Sequence, residues 1–210
     1  MKVLISLLFV FIPLFIFADE KKTPQELFDE VKNEWILDEN GNVSFTKIVQ
    51  LDSVKKEDIY IKALAYFTYN YKSGDDVIQL SDKEKGVIIG KGIFPEIYID
   101  NGKIFKKVTS KYDAIHLLRI DVKDGKARII ITIQQFKIST HATNWVASVS
   151  TPSYPMNVNQ RFPFVNEIDK QKTMMCNVIY KTVQRVKASF ASIEKSLKEG
   201  NTTSDENDDW

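Results

Sequence analysis

Between residues 77 and 139 the chain reads as β-strand almost without interruption, and this stretch limits the possible folds more than any other. Its apolar runs fall at 77–80, 86–93, 97–99, from 104 onward, 114–122 and 127–139. Asn101-Gly102 and Asp124-Gly125 lie between runs. Asn, Asp and Gly accept the positive φ of a tight turn, so each dipeptide is a hairpin signal. The runs HLLRIDV (116–122) and RIIITIQQFKI (128–138) around Asp124-Gly125 make the clearest one. A further dipeptide, Asn40-Gly41, joins WIL (35–37) to VSFTKIVQL (43–51), whose alternation suits a half-buried strand.

Helical patterns flank the β region. Asp52-Ser53 offers a helix cap, and Glu57 and Asp58 sit near the positive end of the helix dipole that would follow. Ile59, Ala63 and Phe67, with Tyr60, Leu64 and Tyr71 one place round, then recur at helical spacing as far as a stop at Ser73-Gly74. From about residue 167 to 198 a longer helix is predicted by Met175, Val178, Ile179, Val183, Val186, Phe190, Ile193 and Leu197, three or four apart. The predicted class is α+β: one antiparallel sheet with helices packed on one face. The 43% hydrophobic and 27% charged composition fits a single globular domain, placed at 34–198.

The ends differ from this core. Residues 1–18 hold one basic residue, Lys2, then an apolar run broken by Pro13 and closed by Ala18 before DEKK. That is the pattern of a secretory signal peptide cleaved near Ala18. The run is shorter than the roughly 20 residues a membrane-spanning helix needs, and Pro13 weakens a helix there. The expected product is periplasmic or secreted, with no stable membrane anchor. Residues 19–33 read as a polar lead-in with Pro24 at a helix start, and 199–210 as a disordered acidic tail. The chain has 29 Lys and Arg against 28 Asp and Glu, and removing Lys2 with the leader balances them. A neutral chain has no general electrostatic reason to bind nucleic acid. Its one cysteine, Cys176, allows no internal disulfide and reads as a small buried hydrophobe.

Candidate chemistry is sparse. KEKGVIIGKG (83–92) has the look of a phosphate-binding loop, but Gly86 and Gly90 are too close. No hydroxyl residue follows Lys91, and no helical period follows Gly92, which a phosphate loop requires. Glycines in a strand mark a bulge, a bend or a close approach, and here sheet curvature is the expected reason. His116, in an apolar strand, and His141, at a strand end, make no metal-ligand spacing with each other or with Cys176. No catalytic, cofactor or metal residue is predicted, and the expectation is a non-enzyme without a cofactor. Residues 141–166 break the strand pattern with Pro152, Pro155 and Pro163. Their aromatics, Trp145, Tyr154, Phe162 and Phe164, are the candidate contacts for a partner or ligand. Covering an open end of the sheet is their plainer role.

The stretch from Phe45 to Gly92 carries a resemblance. VIQL (77–80), Asp82, Glu84, Gly86 and IIGKG (88–92) resemble the signature of a domain of unknown function described as having a TBP-like fold, found in exported proteins of Gram-negative bacteria. The resemblance implies a curved antiparallel sheet with helices on one face. It implies neither an activity nor DNA binding, because fold alone does not set function. The functional expectation is an exported, non-enzymatic binding or structural module of the bacterial cell envelope, contacting an unknown protein partner. The alternative is a carrier holding a small apolar ligand between the sheet and the C-terminal helix.

Overall fold

The computed structural model describes residues 22–71, 77–101, 107–143, 148–157 and 169–200. In chain order these form α1 (Pro24–Val31), β1 (Ile36–Leu37), β2 (Val43–Gln50), α2 (Lys56–Asn70), β3 (Ile78–Asp82), β4 (Val87–Asn101), β5 (Lys107–Lys123), β6 (Lys126–Thr143), β7 (Ser148–Asn157) and α3 (Asp169–Glu199). The strands make one curved sheet in the order β1-β2-β6-β5-β4-β3, with β7 also on β6. Every pairing is antiparallel. β5 runs beside β6 for its whole length, so β2 and β7 share the opposite side. β2 takes residues 126–133 of β6 and β7 takes 135–143.

The turn dipeptides do what their chemistry requires. Gly41 and Gly125 have φ of 76° and 71°, and each closes the hairpin expected of it. Asn101 ends β4, and residues 102–106, where the Asn101-Gly102 turn is expected, lie outside the described residues, as do the expected leader, Ser73-Gly74 stop and acidic tail from residue 201. Pro24 opens α1, whose Thr23 and Glu26 form a reciprocal capping box. This helix packs on α3, and its Phe28 ring is tilted against Trp35, which in turn meets Phe45 in a T-shaped contact.

Three local readings change. Asp52-Ser53 is not the cap of α2: the helix begins at Lys56, and Ser53 sits in a turn at φ 66°. The runs 86–93 and 97–99 are one strand, β4, because a bulge at Pro95-Glu96 absorbs the break. Residues 148–157, read as irregular, are strand β7. Its prolines are tolerated because β7 is an edge strand, where a missing N–H costs no ladder bond.

Both long helices lie on one sheet face. α3 packs on α1, α2, β4 and β2, and buries Val178, Ile179, Val183, Val186, Phe190 and Ile193 in one core with Ile129, Ile131, Ile133 and Phe136 of β6. Its buried Thr182 is satisfied by donating to the Val178 carbonyl at 2.7 Å. α2 packs Ile59, Ala63 and Phe67 over β4 and β5. Gly90 and Gly92 serve this packing rather than a bend. A Cβ on Gly90 would run into the Phe67 ring, and one on Gly92 would stand 2.6 Å from the Tyr71 ring and 2.9 Å from His116. The GKG stretch is bare so that aromatic rings from α2 can lie directly on the sheet.

Candidate binding surface

The strand pleat sends alternate residues to opposite faces, and among the described residues the helices cover one face. On β2, Phe45 and Val49 point under the helices, while Thr46, Ile48 and Gln50 point the other way. The register extends this uncovered face as transverse rows. Ile48 pairs with Arg128, Arg128 with Asp121, and Asp121 with Val87. In the next row Thr46, Ile130, Arg119 and Ile89 follow one another, with Leu80 at the β3 edge. Further along come Thr132, Leu117 and Lys91, and then Ile115 with Ile93. Ile48 is 59% exposed, Ile93 50% and Leu80 48%, so a string of aliphatic groups stands exposed on a face that none of the described helices shields.

Charges organise one end of this face. Asp121 accepts from Arg119 Nε at 2.7 Å and from Arg128 Nη2 at 2.5 Å, one carboxylate between two guanidinium groups. Its side chain is only 14% exposed. A hollow of about 240 Å³ opens beside it, lined by Ile48, Gln50, Asp121, Lys123, Lys126 and Arg128. Lys123 and Lys126 are direct cross-strand partners at the hairpin end. Among the described residues neither is neutralised by an ion pair.

The helix-covered face holds a second polar feature. His116 is 1% exposed, and its Nε2 lies 3.2 Å from the Tyr71 hydroxyl. The Phe94 ring stacks on it at 3.9 Å, and the Arg185 guanidinium lies 5.9 Å beyond Phe94. Nδ1 has no hydrogen bond among the described residues. Burial drives the His116 pKa down to about 4, and the Arg185 charge pushes the same way. The Ala114 carbonyl pulls against both, from a position that does not make a hydrogen bond to Nδ1. Burial raises the Tyr71 phenol well above its ordinary value. The imidazole is therefore neutral at pH 7 and sealed from solvent, so no substrate reaches it in this conformation. It is a polar rivet between α2 and β5.

Of the predicted contact residues, Trp145, Phe162 and Phe164 lie outside the described residues. Tyr154 is described only in its backbone, which pairs with Ile138 in β7. Cys176 is a free, buried thiol whose pKa burial raises. Sequence reasoning missed the open face. Its residues alternate with core residues in strands apolar on both sides, and the signal that could have exposed it was the charged cluster of Arg119 and Asp121, two apart on β5, with Arg128 opposite Asp121 across the Asp124-Gly125 hairpin.

A curved antiparallel sheet with its long helices confined to one face is the TBP-like α+β class. Residues 45–138 match the family model of DUF4468, a domain of unknown function with TBP-like fold. Two solved structures share the fold. A TBP-like protein from Parabacteroides distasonis is 17% identical, with a TM-score of 0.51 over 76% of this chain and 95% of its own. A DUF4468 family protein from Bacteroides ovatus is 15% identical, with a TM-score of 0.51 over 78% of this chain and 94% of its own. No curated protein matches the chain in sequence.

Proposed function

We propose that this protein is an exported, non-enzymatic binding module of the bacterial cell envelope, which engages a protein partner through the open face of its sheet. The observation that carries this reading is the one-sided placement of α2 and α3. It leaves Ile48, Leu80 and Ile93 near half exposure on a rigid, register-locked surface. An exposed aliphatic patch with a charged border is a common form of protein interface. Export rests on the leader-like segment at 1–18. The test is affinity capture from envelope fractions, read by mass spectrometry, with the natural chain and an Ile93→Asp variant in parallel. A partner captured by the natural chain and lost by the variant supports the reading. Equal capture by both removes the sheet face from it.

The second reading, carriage of a small apolar ligand between the sheet and α3, has one feature in its favour. A groove of about 300 Å³ lies between β2 and α3, lined by Glu34, Phe45, Thr46, Lys47, Val183, Val186, Lys187 and Phe190. Its apolar floor is already closed, since Phe45, Val183, Val186 and Phe190 are all buried. The accessible rim is the ion pair of Glu34 with Lys187 and that of Lys47 with Glu194. A ligand there would gain little apolar contact, which is why the open face is preferred. Native mass spectrometry of the purified protein tests this reading through the presence or absence of a copurifying small molecule.

A further inference from the structure

We infer that the hairpin end of the open face, around Lys123, Lys126 and Arg128, receives an acidic side chain of the partner, whose adjoining apolar residues lie on Ile48 and Ile130. This deepens the binding reading above and rests on it. Lys123 and Lys126 face each other across the last rung of the β5–β6 hairpin, and like charges directly opposite are unfavourable. They also share the hollow with Arg128, while Asp121, the hollow's one carboxylate, already sits between Arg119 and Arg128. The hollow therefore carries uncompensated positive charge. A carboxylate entering it relieves the repulsion and meets three donors.

The surroundings select the kind of anion. Beyond the first rows the face turns aliphatic, through Ile130, Ile89, Leu117, Ile115 and Ile93. A nucleic acid strand needs basic groups repeated along its track, whereas here Arg119, Lys123, Lys126 and Arg128 gather toward the hairpin end and Lys91 stands apart from them among the aliphatic rows. Acidic groups followed by apolar ones match the order of the rows, as a short peptide segment does. The hollow, at about 240 Å³, holds one or two acidic side chains rather than a large group.

The probe is a fluorescein-labelled peptide, acetyl-Glu-Glu-Asp-Leu-Val-Leu-amide, titrated with the full chain at low and moderate salt and followed by anisotropy. The expected result is saturable binding that weakens with salt, and much weaker binding of the control acetyl-Gln-Gln-Asn-Leu-Val-Leu-amide. Lys123→Glu lowers peptide affinity about tenfold or more. The same change turns a repulsive cross-strand pair into an ion pair, so thermal unfolding holds or rises, which separates lost binding from lost fold. Lys126→Gln, which only removes charge, repeats the test should the glutamate disturb the hairpin. Equal binding of both peptides, or unchanged affinity in both variants, overturns the inference. So does tighter binding of a single-stranded oligonucleotide at the same salt. If the peptide fails while Ile93→Asp still abolishes partner capture, the acidic segment falls and the binding face stands.

Discussion

The carboxylate of Asp124, in the tight turn between β5 and β6, accepts the backbone N–H of Lys56 at 2.8 Å and so caps α2 from the far side of the chain. The first turn of a helix has N–H groups without intrahelical partners, and one is satisfied here by a residue 68 positions away. Gly125 reinforces the junction: its N–H donates to the Val54 carbonyl at 2.9 Å, and its carbonyl accepts from Leu51 at 2.8 Å.

Asp124→Ala removes this cap and is expected to destabilise the fold by about 1 kcal/mol, the usual worth of a capping side chain. Asp124→Asn, which keeps the acceptor, loses less. Urea unfolding followed by circular dichroism decides. No loss in the alanine variant contradicts the long-range cap.

Gly92→Ala places a methyl group against Tyr71 and His116, and overpacking of this kind costs about 1–3 kcal/mol. In a Tyr71→Leu background the ring is gone and the added cost of Gly92→Ala shrinks. A double-mutant cycle on unfolding free energies measures the coupling. Simple additivity would mean that the glycine serves something other than ring packing.

Stability should depend on pH through His116. A free imidazole titrates near 6.5 and the folded one near 4, so between these values the unfolded chain binds a proton that the folded chain refuses. The contribution is fully present above pH 6.5, falls as pH drops toward 4, and amounts to about 3 kcal/mol across that window. His116→Phe flattens that slope. Unfolding midpoints at pH 7 and pH 4.5 in both proteins check it, and equal slopes contradict the assignment.

The two sheet faces should respond oppositely to truncation. Ile179→Ala, on the buried side of α3, leaves a cavity and costs about 2–5 kcal/mol. Ile48→Ala, on the open face, changes stability by at most about 0.5 kcal/mol. Thermal melts of the two variants compare them directly. A large loss at Ile48 would mean that the face is covered in solution.

Strands and turns were legible wherever one residue type had one physical job. The hairpins at Gly41 and Gly125 and the apolar stripe of α3 follow from turn chemistry and helical period. β7 was hidden because Pro152 and Pro155 read as breakers, and whether a proline breaks a strand depends on its place in the sheet. The α2 cap was hidden because Asp124 is distant in sequence. The reason for Gly90 and Gly92 lay in Phe67, Tyr71 and His116, contacts that no local pattern records. The open face escaped for a related reason: Ile129 and Ile130 are adjacent and equally apolar, and only the position of the helices decides which one is core.

Because β6 is flanked on one side by β2 and then by β7, two segments from opposite parts of the chain depend on a single strand. The β3–β4, β4–β5, β5–β6 and β6–β7 pairings join neighbours in sequence and form by short-range closure, whereas docking β2 on β6 closes a loop of nearly half the domain. That difference sets an order of assembly: hairpins first, then β2 arriving to finish the sheet. Amide exchange is therefore expected to be slowest in the middle strands and faster along β7, which pairs with β6 alone and can peel from the edge while the remaining strands hold.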